Sequence, residues 1–297
     1  MSHPRKAGVQ VFPSEMWNFI FLATSSAVLY GSADFFGGLA TRRASVVPVM
    51  IFTQLAGLAA LLLVLPLLPR ATATVADFSW GALGGCVLAV GLALLYHGLA
   101  TGKMSVVAPV TAVLAVVVPA LAGFAAGDRL SWLGWSGIAL ALAAIVLISQ
   151  DGAPSGAREE RSSRGLGAAF LAGALLGAFL TALKQTEPTS GLLPLIPARL
   201  SAVAVLALVA LFRRPSFRAA RSAAWLIVAG GALDVSANVL YLLAARLGTL
   251  TVAATLASLY PASTIVLARL FLAERLRRIQ IAGLVSAAVG VALIGAG

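Results

Sequence analysis

Charge is what this sequence has least of. Only 10% of its 297 residues are Asp, Glu, Lys or Arg, where a soluble globular chain carries about 25%. With 60% of residues hydrophobic, there is too little polar side chain to cover a water-facing surface. A soluble fold is excluded, and the composition is that of an integral membrane protein. Cysteine and histidine are almost missing: one Cys and two His. Cys86 has no second cysteine to pair with, lies in an apolar span and reads as a small packing residue. So few soft or imidazole ligands leave no metal cluster, and neither a metal nor another cofactor is expected. No Gly-x4-Gly-Lys-Ser/Thr loop occurs, so direct coupling to ATP is not expected. The titratable groups are scattered rather than gathered, which argues against an enzyme and leaves no catalytic residue to name. The net charge of +11 does not point to nucleic acid, because the basic residues sit in short loops between apolar spans, where they act as topology signals and headgroup anchors.

What the chain does have is long apolar runs. Ten can be read, at roughly 17–39, 45–68, 78–101, 104–126, 131–150, 165–184, 190–212, 222–246, 250–272 and 276–296. Most hold about the 20 residues a helix needs to cross ~30 Å of hydrocarbon. Residues 1–16 are polar, and the span after them is longer than a signal h-region and lacks a cleavage site, so it reads as a retained helix. The longest connection, 151–164, is rich in Gly, Ser and charge and reads as a linker.

The two halves on either side of that linker echo each other. An offset of 146 residues carries Glu274-Arg275-Leu276 onto Asp128-Arg129-Leu130, Gly283 onto Gly137, Pro194 onto Pro48, Gly177 onto Gly31 and Thr251 onto Ser105; Tyr241 meets Tyr96 after a one-residue slip. One offset that aligns markers along the whole chain is a repeat. With five spans per repeat, an odd number, the second repeat enters the membrane from the opposite side. The expected fold is therefore an all-α polytopic membrane protein of ten transmembrane helices in two inverted five-helix repeats, 17–150 and 165–297. Such symmetry is the physical basis of alternating access. The motifs Gly81-x-x-x-Gly85 and Gly173-x-x-x-Gly177 read as close helix packing and carry no information about substrate.

Polar side chains inside the spans each need a reason, because an ionised group at a helix centre costs about 2.5–3.5 kcal/mol on insertion. Ser26, Tyr30 and Asp34 share one face of span one; Asp34 either faces a cavity or pairs with Arg42 or Arg43 at the membrane edge. Asp234, Asn238 and Tyr241 form a polar stripe along span eight, which faces a cavity or fixes helix register. Arg199, in span seven beside Pro194 and Pro197, lies at a depth similar to Asp234; the two either form a buried ion pair or receive the carboxylate and amine of a zwitterion. His97, beside Tyr96, either titrates in the working range or is an ordinary interfacial residue. Lys184, Glu187 and Arg269 are expected to snorkel. Pro109 and Pro119 in span four and Pro261 in span nine interrupt matching helices of the two repeats, which marks a transporter's binding site.

Ser-Val-Val-Ala-Pro109 with Gly127-Asp128-Arg129-Leu130, Ser258-Leu-Tyr-Pro-Ala-Ser263 with Ala273-Glu274-Arg275-Leu276, and Tyr30-Gly-Ser-Ala-Asp-Phe35 with Gly37-Gly38 together resemble the EamA domains of the drug/metabolite transporter superfamily, amino-acid and metabolite exporter type. The resemblance implies two EamA domains and a central cavity lined by helices 1, 3, 4, 6, 8 and 9. It places Tyr30, Asp34, Tyr96, His97, Pro109, Asp234, Asn238, Tyr241, Tyr260 and Pro261 near that cavity and Arg199 at its margin. The expected function is export of amino acids or related small metabolites across the inner (plasma) membrane, with protons as a candidate coupling ion through Asp34, Asp234 or His97. The partners expected are a small-molecule substrate and the lipid bilayer, not nucleic acid. The alternative is a multidrug or organic-cation exporter of the same fold, which would want an acid free of Arg in an aromatic-lined cavity. Orientation divides the signals: thirteen basic residues against six favour both termini outside, whereas the resemblance implies cytoplasmic termini. Oligomeric state is not encoded in any of these features.

Overall fold

The computed structural model describes residues 13–41, 43–101, 104–148, 160–272 and 277–296. All regular structure among them is helical: α1 (Pro13–Thr41), α2 (Val46–Val64), α3 (Val75–Thr101), α4 (Met104–Ala125), α5 (Trp132–Ile148), α6 (Glu160–Lys184), α7 (Leu195–Arg213), α8 (Ala224–Leu247), α9 (Leu250–Ala257), α10 (Tyr260–Leu272) and α11 (Arg278–Ala296). Among the described residues, six segments are long and apolar enough to cross a membrane: Met16–Thr41, Val46–Leu67, Val75–Leu95, Gly167–Lys184, Leu195–Arg213 and Arg218–Leu247. Thr111–Ala125, Trp132–Leu147 and Arg278–Ile294 are shorter apolar helices. The chain is a multi-pass membrane protein.

The surface is the reverse of a soluble protein's. Large apolar side chains point outward, among them Phe212 at 82% exposure, Leu63 at 77% and Phe21 at 69%, as a lipid-facing wall requires. The interior holds small residues and the polar ones: Ala23, Ala112 and Ala254 are fully buried, and so are Ser26, Gln54, Arg199, Asn238 and Thr251. Without a hydrophobic drive between helices in lipid, close packing and hydrogen bonds carry the association.

Glycine sets some of these approaches. A Cβ on Gly85 of α3 would land on the Ala198 carbonyl and the Ser201 hydroxyl of α7. The same contact is tied by Ser201 Oγ, which donates to the Ala82 carbonyl at 2.8 Å. On α6, a Cβ on Gly173 would collide with the Thr111 carbonyl of α4. Gly85→Leu is therefore expected to destabilise the bundle by at least the ~1–3 kcal/mol of overpacking, read as a lowered thermal unfolding midpoint in detergent. Gly38→Ala, where the added Cβ meets nothing within 4 Å, is the control and should shift it little.

Helices α1 and α8 pack along much of their length, as do α3 and α6, α2 and α8, α3 and α7, α4 and α6, α1 and α10, and α5 and α11. One expected span is not a single helix. Residues 250–272 break at Ser258-Leu259 into α9 and α10, about 12 and 20 Å long at 1.5 Å per residue. Pro261 is the cause. It has no N–H to give the Ala257 carbonyl, the bond that would have joined the two pieces. Asp128, in the α4–α5 connection, holds the other end of α9: its Oδ2 accepts from Thr251 N at 3.2 Å and Thr251 Oγ1 at 3.1 Å, a carboxylate at a helix N-terminus where the dipole favours it.

Lys184 corrects a second expectation. It does not snorkel to the headgroups but turns inward, donating to the Ala245 carbonyl and, at 3.2 Å, to the Gly248 carbonyl at the end of α8. Those carbonyls lack intrahelical partners and carry the negative end of the helix dipole, so the ammonium is better satisfied there than its position in sequence suggests.

Candidate functional site

The polar stripes of α1 and α8 face each other. Ser26 Oγ donates to the Ala237 carbonyl at 2.9 Å. Tyr30 OH donates to Asn238 Oδ1 at 2.8 Å, and Asn238 Nδ2 donates to the Asp234 carbonyl at 2.7 Å. Helix periodicity explains the match: side chains four residues apart stack on one face, so two stripes can hydrogen-bond at successive turns. Asn238 is 1% exposed and is held at both its oxygen and its nitrogen by these bonds, so it acts as a staple. Tyr241, one turn on, is also a staple. It is fully buried and its hydroxyl donates to the Leu180 carbonyl of α6 at 3.0 Å.

Arg199 reaches Asp234. It is 1% exposed, and its Nη1 contacts both Asp234 Oδ2 and Gln54 Oε1 of α2. Its Nη2 is buried with no acceptor among the described residues. Three helices, α2, α7 and α8, thus meet at one guanidinium. Gln54, 3% exposed, is the member that the sequence did not single out. It lies in a span of mean hydropathy 2.2, where a side-chain amide is expensive; attending to charged groups alone passed it over.

A cavity of about 80 Å³ lies beside this pair. Its walls are Tyr30 and Asp34 of α1, Leu88, Leu92 and Leu95 of α3, Ala115 of α4, Leu176, Phe179 and Leu180 of α6, Asp234 of α8, and Ala257, Ser258 and Tyr260 at the α9–α10 break. The broken backbone is tolerated here because it borders a cavity rather than lipid. Hydroxyls hold the break against α1: Ser263 Oγ donates to the Ala27 carbonyl at 3.1 Å and Thr264 Oγ1 to the Gly31 carbonyl at 2.9 Å. A Cβ on Gly31 would strike the Tyr260 carbonyl, so the glycine permits that approach. A second cavity of about 50 Å³ adjoins Asp34 and Asp234 from the side of Thr53 and Gln54.

Of the residues named from the sequence, Tyr30, Asp34, Asp234 and Tyr260 line the main cavity. Asn238 and Tyr241 brace it from behind, and Pro261 is buried behind the break it causes. Arg199 stays outside the lining. The side chains of Tyr96, His97, Pro109 and Arg269 lie outside the described residues, as does Arg42. Asp34 forms no hydrogen bond or ion pair among the described residues, with Arg43 or any other group. The described site therefore holds two acids and one base, and the base is already engaged by Asp234. What remains is an acid in an aromatic and aliphatic pocket, able to accept a proton or a cation. Among the described residues no group of three or more His, Cys, Asp or Glu could hold a metal.

The sequence model of the EamA-like transporter family matches residues 163–296, the stretch from α6 to α11. No curated protein matches the chain. A solved structure, described only as the crystal structure of a protein, is similar with a TM-score of 0.74 at 15% identity, covering 92% of this chain and 95% of that one. At that identity the likeness shows the fold alone.

Proposed function

From the match of residues 163–296 to the EamA-like transporter family, we propose that the whole chain is a secondary transporter of ten membrane spans. In this reading α9 and α10 together make one span, and the halves 17–150 and 165–297 are inverted repeats joined by the linker 151–164. The pattern of helix pairs supports it. Exchanging α1–α5 for α6, α7, α8, α9–α10 and α11 turns the α1–α8 pair into α6–α3, α2–α8 into α7–α3 and α4–α6 into α10–α1, and all of these pairs occur. Two near-equivalent halves can exchange conformations, which opens the cavity to one side and then the other. The inner (plasma) membrane is the proposed location and export the proposed direction.

The substrate reading rests on one observation: Asp34 is an acid in the cavity wall without a hydrogen bond or ion pair among the described residues, while Arg199 is sequestered by Asp234 and Gln54. A substrate carrying a positively charged amine on an apolar body fits this pocket. Asp34 receives the charge, and Tyr30, Phe179 and Tyr260 supply aromatic walls. Protons compete for the same carboxylate, which provides a route to coupling. At about 80 Å³ the cavity holds a few waters, so binding requires the helices around it to part.

Amino-acid export is the second reading, favoured by the α9–α10 break. The N-terminus of α10, the positive end of its dipole, borders the same cavity and would face a carboxylate. Uptake into liposomes separates the two, using labelled amino acids, amines without a carboxylate and lipophilic cations, with and without a pH gradient. Transport of carboxylate-free amines supports the first reading, and transport of amino acids alone supports the second. If folded protein moves neither class, both fall.

A further inference from the structure

Away from the central cavity, an apolar groove of about 740 Å³ runs between α2 and α8, within the ~300–1,000 Å³ of ligand sites. Its floor includes Leu61 and Val235, which are 2% and 3% exposed, and Leu243 stands at its rim, 37% exposed. From Val235 to Arg246 the groove follows twelve residues of α8, a rise of ~16 Å over the steps between them, about half of a ~30 Å hydrocarbon core. The groove is therefore one leaflet deep.

Its outer end is built from polar backbone and two arginines. Thr72 N donates to the Thr189 carbonyl at 3.0 Å, joining the α2–α3 and α6–α7 connections into an end wall. Arg246 Nη2 donates to Thr186 Oγ1, the Glu187 carbonyl and Ser190 Oγ at 3.3, 3.1 and 3.2 Å. Its Nε is buried with no acceptor among the described residues. Arg70, exposed, lines the same end. No acid lines the groove.

We propose that this groove binds one anionic phospholipid of the leaflet at the Arg70–Arg246 end, with acyl chain along α8 and phosphate between the two guanidinium groups. A groove of one-leaflet depth fits a chain. Both cations line the groove, and Asp77, which is buried behind the end wall, offsets part of the Arg246 charge alone; the remaining positive balance selects a headgroup of net negative charge over a zwitterionic one, whose ammonium it repels. Basic pockets between membrane helices take anionic headgroups by the same electrostatics.

The test is native mass spectrometry of the full-length protein released from vesicles of phosphatidylcholine and phosphatidylglycerol in equal parts. Wild type is expected to retain one phosphatidylglycerol in preference to phosphatidylcholine. Arg70→Ala should lower that retention about fivefold, which corresponds to the ~1 kcal/mol of one arginine near an anionic surface. Leu243→Trp, which narrows the groove at its rim, should lower retention of lipid of either kind. Arg70 is chosen because it makes no hydrogen bond that the fold needs, so its loss does not unfold the protein, as a matched thermal midpoint would verify. Equal retention of the two lipids by wild type, or unchanged phosphatidylglycerol retention in Arg70→Ala, overturns the proposal.

Discussion

Arg199→Met is expected to destabilise the protein by ~3–5 kcal/mol, the effect of removing one partner of a buried ion pair. Asp234 loses its counter-charge, and Gln54 Oε1 loses its donor. The double variant Arg199→Met/Asp234→Leu should recover most of that loss, because well-packed apolar groups of similar volume often replace a buried pair at little net cost. Thermal unfolding in detergent of the wild type, both single variants and the double variant makes a complete double-mutant cycle. A double variant as unstable as Arg199→Met alone would mean that the arginine acts through packing rather than through the charge of Asp234. Gln54→Leu should cost less, since the guanidinium keeps its carboxylate.

Asp34→Asn is expected to reduce substrate affinity by roughly 10- to 150-fold, the ~1.5–3 kcal/mol of a hydrogen bond to a charged group, and to leave the unfolding midpoint near that of wild type. The contrast with Asp234 is the informative part. Asp234 already has a partner, so Asp234→Asn leaves Arg199 as an unpaired buried cation and should lower stability and transport together. Among the described residues Asp34 has no ion-pair partner to orphan, so its substitution should separate transport from folding. The same variant should abolish any dependence of uptake on a pH gradient if Asp34 carries the coupled proton. Wild-type uptake kinetics in Asp34→Asn would remove this residue from the substrate site and with it the amine reading.

Composition and pattern alone determine the class of this protein. So few charged residues cannot clothe a water-soluble surface, and runs near 20 apolar residues have the length of a bilayer; both are additive properties of the chain that need no tertiary information. The Tyr30–Asp34 and Asp234–Asn238 stripes are legible for the same reason, since spacing along a helix fixes which side chains share a face. Pro261 marks the interrupted helix of span nine, whereas Pro109 and Pro119, which lack the same N–H and were expected to interrupt span four, lie within an unbroken α4. The partner of each polar group was decided only when the helices packed. Sequence leaves Arg199 with either a substrate carboxylate or Asp234, and packing of α7 against α2 and α8 gives it Asp234 and Gln54. Sequence offers Asp34 an arginine at the membrane edge, and tertiary structure leaves it in the cavity wall without an ion pair among the described residues. Lys184 likewise exchanges the headgroups for the carbonyl end of α8. Each outcome depends on distances between helices far apart in sequence, and the period of a single helix carries no information about its neighbours.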